Sequence, residues 1–131
     1  MNISFNPDGW VRPKGYSNVI SATGRMVFVA GQVGWNEAEV FEADDFAGQT
    51  AQALANITAC LAAADAGPEH IVRMTWYVTD KQEYLDALAE VGDVYREVIG
   101  RHYPVMSLVE VAGLVETGAK LEIEATAVVP E

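Results

Sequence analysis

The segment KLEIEATAV, residues 120–128, alternates apolar and polar side chains as far as Ala127. Successive residues of a strand point to opposite faces. Leu121, Ile123, Ala125 and Ala127 therefore share one face, and Glu122, Glu124 and Thr126 share the other. Such a strand fits a sheet with one dry face and one face that meets water or a partner. The rest of the chain has to cover the dry side.

Two amphipathic stretches supply the cover. In the first, about residues 46–66, Phe46, Ala53, Leu54, Ile57, Leu61 and Ala64 recur at helical spacing. Asp44 and Asp45 place negative charge at its start, where unpaired N–H groups favour it, and Gly67-Pro68 stops it. In the second, about residues 82–100, Tyr84, Leu88, Val91, Tyr95 and Val98 keep one face. Residues 71–79 (IVRMTWYVT) read as a strand between the helices, and residues 106–112 as another after them. Residues 16–23 and 26–33 flank a turn at Gly24-Arg25 and read as a hairpin, followed by a loop over 35–45. The order is ββαβαββ, an α+β fold in one domain, residues 1–131. The central strand–helix–strand predicts a right-handed crossover and parallel pairing, with two helices on one face of a mixed sheet. The bare face predicts an oligomer, and pockets form where subunits meet.

Charge narrows the partners. Nineteen acidic residues against eight basic ones give −11, which repels phosphate backbones and disfavours nucleic acid. No apolar run is long enough to span a bilayer, and MNISFNPDGW lacks the layout of a signal peptide, so a cytoplasmic protein is expected. Cys60 has no partner for a disulfide and, in an alanine-rich segment, reads as a small core residue.

Chemistry is sparse. Glu110, Glu122 and Glu124 lie on the two closing strands and could build an acidic cleft, or simply a solvated sheet face. Glu110 fits the solvated face less well, because its own face carries Met106, Leu108 and Ala112. His70 and His102 have no companions at metal-ligand spacing. No Gly-x-Ser-x-Gly elbow is present, and the GQVG at 31–34 lacks the lysine of a phosphate loop. It marks a bend or a close backbone approach.

Several stretches together resemble the reactive-intermediate deaminase (YjgF/YER057c/UK114) family. They are Gly15-Tyr16, VFVAGQV at 27–33, QTAQALAN at 49–56, Ile71-Val72, YVTD at 77–80, Tyr103-Pro104, Val109-Glu110-Val111 and LEIEA at 121–125. They keep the family order over about residues 14–129. The resemblance implies a chorismate-mutase-like fold and a homotrimer whose sheets form a central barrel. It also implies a small-molecule pocket between neighbouring subunits. Typical members hydrolyse enamines and imines such as 2-aminoacrylate to a carbonyl compound and ammonia, with no metal or organic cofactor.

Matched residue by residue, the water-positioning glutamate falls on Glu122, the pocket tyrosine on Tyr16, the backbone amide contact on Gly31 and the aromatic wall on Tyr84. The arginine that clamps the substrate carboxylate falls on Met106, a thioether that cannot bind an anion. Arg12 or Arg101 would be substitute cations. Glu110 is then a strand residue of the family pattern. Two readings follow: a deaminase with a more apolar pocket and an atypical substrate, or an inactive ligand-binding or regulatory trimer. Ribonuclease activity, attached to some members, is disfavoured by the charge.

Overall fold

The structure, a computed structural model, describes residues 2–131. Among these residues six strands form two sheets. β1 (Ile3–Phe5) and β2 (Val19–Ser21) pair antiparallel as a small ribbon. β3 (Arg25–Val33), β4 (Ile71–Val78), β5 (Val105–Glu110) and β6 (Leu121–Val129) form the main sheet in the order β3-β6-β4-β5. β6 is antiparallel to both neighbours, and β4 and β5 are parallel, the pairing a strand–helix–strand connection favours.

Three helices lie on one face: α1 (Phe46–Ala63), α2 (Lys81–Asp86) and α3 (Leu88–Val98). Leu54, Ile57 and Leu61 of α1, with Val91 and Tyr95 of α3, bury against Met74, Trp76, Val78, Leu121, Ile123, Ala125 and Ala127. The parity read from residues 120–128 is therefore the parity of the fold. On the opposite face, Tyr77 and Glu122 are register partners, as are Phe28 and Thr126, and no helix covers them.

Local chemistry sets the ends. The Asp45 carboxylate accepts the Gly48 N–H at 3.1 Å and caps α1. The helix stops at Ala63 rather than Ala66, because Asp65 adopts φ +55° and the Ala64 and Ala66 N–H groups both return to the Leu61 carbonyl. The GQVG stretch is a close approach: a Cβ on Gly34 would lie 2.6 Å from the Gln49 Cβ. Buried Gln49 donates to the Ala43 and Gly118 carbonyls and accepts from the Lys120 N–H, tying α1 to the loop before β6.

Three expectations are corrected, and a fourth, Glu110 as a strand residue, is explained. Residues 16–23 do not pair with 26–33; only Val19–Ser21 is a strand, and its partner is Ile3–Phe5, a stretch too short and too exposed to show a period. The second helix is broken at Ala87, whose N–H is shared by the Glu83 and Tyr84 carbonyls. Side-chain spacing hardly registers such a tightened turn. Cys60 is exposed, because the buried stripe of α1 runs through Ala53, Leu54, Ile57 and Leu61 and leaves it outside. Glu110 ends β5 and is exposed; its carboxylate accepts the Lys81 N–H at 2.9 Å, at the N-terminus of α2. That explains a carboxylate between two valines.

Candidate functional site

The residues assigned from sequence fall into separate groups within one protomer. On the helix side, Met106 and Tyr84 line one cavity of about 280 Å³. Its walls come from β4 (Trp76), β5 (Met106), α2 (Tyr84) and α3 (Leu88, Tyr95), closed by Tyr103 and by Lys14-Gly15. The aromatic groups are held firmly. Tyr84 meets Phe46 edge-on at 6.1 Å between centroids, and Tyr95 stacks on Tyr103 at 5.7 Å while its hydroxyl donates to the His102 carbonyl at 2.6 Å. Burial raises the Tyr84 phenol above its ordinary pKa. It does the same, more strongly, to Tyr95, with a smaller contribution from Tyr103. Both stay neutral donors through the physiological range. Trp76 is 2% exposed, and its Nε1–H is buried without a partner.

Tyr16 is not in this cavity. It lines a neighbouring concavity with Phe5, Arg12 and Tyr103, while Gly15 reaches the Met106 cavity. The Ser17 hydroxyl donates to the Tyr103 carbonyl at 2.6 Å and fixes this loop beside Tyr103-Pro104.

Gly31 and Glu122 sit together on the other side. The ladder between β3 and β6 is irregular between Val29 and Gln32, and a Cβ on Gly31 would run into the Glu122 carboxylate. Only glycine leaves that space. Glu122 lines a concavity of about 320 Å³ with Tyr77, Glu124 and the loop carrying Leu114 and Val115. The Tyr77 hydroxyl donates to Glu124 at 2.7 Å; that bond, then desolvation and the charges of Glu124 and Glu122, raise its pKa.

The sheet itself separates the two groups. Met106 is the register partner of Met74 on the helix side, and Glu122 is the register partner of Tyr77 on the open side. Sequence reasoning missed Trp76, Tyr95, Tyr103, Lys14 and Arg96 as neighbours of Met106. Tyr95 carried a signal, since it shares the helical stripe of Tyr84, but that stripe read as core. Arg12 lies with Tyr16 and does not line the Met106 cavity of the same protomer.

This is an open-faced α+β domain with a carboxylate on the bare face and an aromatic cavity behind it. The Endoribonuclease L-PSP family matches residues 11–129, and the chain belongs to that family, which includes the reactive intermediate deaminases. It is 34% identical over 108 residues to the 2-iminobutanoate/2-iminopropanoate deaminase of Salmonella typhimurium, covering 80% of each chain. A Rid-family protein of unknown function from Yersinia pestis superimposes with a TM-score of 0.85 at 30% identity, covering 98% of both chains. Escherichia coli TdcF with bound serine does so with a TM-score of 0.67 at 34% identity, covering 92% of this chain and 91% of that one.

Proposed function

We propose that the chain is a homotrimeric enamine or imine deaminase whose site is shared between two copies. Glu122 and Gly31 come from one protomer, and Met106, Tyr84 and Tyr16 from its neighbour. The observation that carries this reading is the placement of Met106 and Glu122 on opposite faces of one sheet. Within one protomer the sheet stands between them, whereas a second copy reaching round the free edge of β5, the last strand in the order β3-β6-β4-β5, would bring its Glu122 to Met106.

In the reaction, Glu122 takes a proton from water as the oxygen bonds to the imine carbon. The nitrogen gains a proton to give a carbinolamine. The hydroxyl then loses its proton, the C–N bond breaks, and ammonia leaves with the proton Glu122 relays. An enamine first takes a proton on carbon to become the imine. Every proton is supplied by water or returned, so the step needs no metal or organic cofactor.

With a thioether at 106, no cation at that position holds the carboxylate of a small 2-imino acid. The substrate is an imine with a bulkier, more apolar body. The test generates imines in place with an L-amino acid oxidase acting on phenylalanine or leucine. Ammonia release accelerated above the spontaneous rate supports the reading. A folded protein that accelerates none of these imines is instead a binding trimer, the reading the missing cation at 106 favours.

A further inference from the structure

Two of the chain's eight basic residues, Lys14 and Arg96, line the cavity around Met106, and no aspartate or glutamate does. In a chain of charge −11 the lining carries two cations, of which Lys14 has no ion pair among the described residues and Arg96 is paired with Asp93. The Arg96 guanidinium bonds Asp93 at 2.6 Å, which anchors it along α3. It lies over Gly92, where a Cβ would stand 3.3 Å from Nη1. A guanidinium has five donor hydrogens, so donors remain for a ligand. The rest of the lining includes Trp76, Tyr84, Tyr103 and Met106. At about 280 Å³ the cavity leaves a three-carbon acid loose but suits a ligand with a ring.

We propose that this cavity takes an organic acid with an aromatic body, its ring against Met106 and the aromatic walls and its carboxylate held by Lys14 and Arg96 at the mouth. This rests on the reading that the Met106 cavity is the ligand pocket of the shared site, and it names the substrate class: aryl 2-imino acids and their 2-oxo products.

Titration calorimetry on the intact protein tests it with three probes. Phenylpyruvate should bind at least about tenfold more tightly than pyruvate, which lacks the ring, and than 4-phenyl-2-butanone, which lacks the charge. Lys14→Ala and Arg96→Ala should each weaken phenylpyruvate by roughly threefold to tenfold, with folding checked by circular dichroism. No binding of phenylpyruvate, equal binding of pyruvate, or a double variant with unchanged affinity would overturn the proposal. The two readings fail separately. Phenylpyruvate binding that depends on Lys14 and Arg96, without accelerated ammonia release, keeps this inference and sinks the deaminase. Ammonia release with an affinity indifferent to both cations does the reverse.

Discussion

On the helix side of the main sheet Met74, Trp76, Leu121 and Ile123 are at most 2% exposed, while on the other side Phe28 is 72% exposed and Val109 44%. The same four strands make both surfaces, so the difference lies in what covers them. The helix side is complete within one protomer, down to its stacked tyrosines. The bare side mixes apolar groups with Arg73, Thr75, Glu122 and Glu124, a surface that keeps polar contacts yet has apolar area to bury. One face is therefore closed within the protomer, the other has apolar area left to cover, and the proposed site draws on both.

The comparison can be broken in four places. The largest effect is expected at Glu122 on the bare side. Glu122→Gln should lower turnover of a responsive imine by roughly a hundredfold to ten-thousandfold, the range for a lost general base, with the thermal midpoint nearly unchanged. The covered side should behave in the opposite way. Leu54→Ala should cost about 2–5 kcal/mol of stability in denaturant unfolding, because Leu54 is fully buried and its removal leaves a cavity.

Met106→Arg joins the two sides. It should raise activity on small 2-imino acids by about one to two decades, since a charge-assisted bond to a carboxylate is worth roughly 1.5–3 kcal/mol. A folded variant with no gain would show that position 106 does not face the reacting carboxylate.

The smallest effect is at Tyr95. Its folded pKa lies above the ordinary 10.0, so its contribution is fully present below pH 10 and is lost as pH rises through the folded value. Tyr95→Phe removes the bond to the His102 carbonyl and should cost about 1 kcal/mol at neutral pH. Its stability should then decline less steeply than that of the wild type above pH 10, measured by denaturant unfolding across that range.

Much of this architecture was legible in the sequence because burial imposes a period. Leu121, Ile123, Ala125 and Ala127 announce their face by alternation, and Leu54, Ile57 and Leu61 by helical spacing. β1 was not legible, because three exposed residues carry no period and their partner lies sixteen or so positions away. The role of Glu110 depends on β5 ending beside the start of α2, a neighbourhood that only the parallel pairing of β4 and β5 creates. Lys14 and Arg96 belong to no common motif and meet only through the tertiary fold. The residue pattern placed Met106 and Glu122 on their strands and the family resemblance gave them roles, but their separation by the sheet emerges only from the registers of β4 with β5 and with β6.

The central claim is that a site divided by its own sheet is completed by a second copy of the chain. Light scattering at micromolar concentration, with imine hydrolysis assayed on the same eluted peak, tests it most directly. The account predicts a single species near three times 14.2 kDa that carries the activity. An active species of 14.2 kDa would contradict it, because Met106 and Glu122 would then have to act from opposite faces of one sheet.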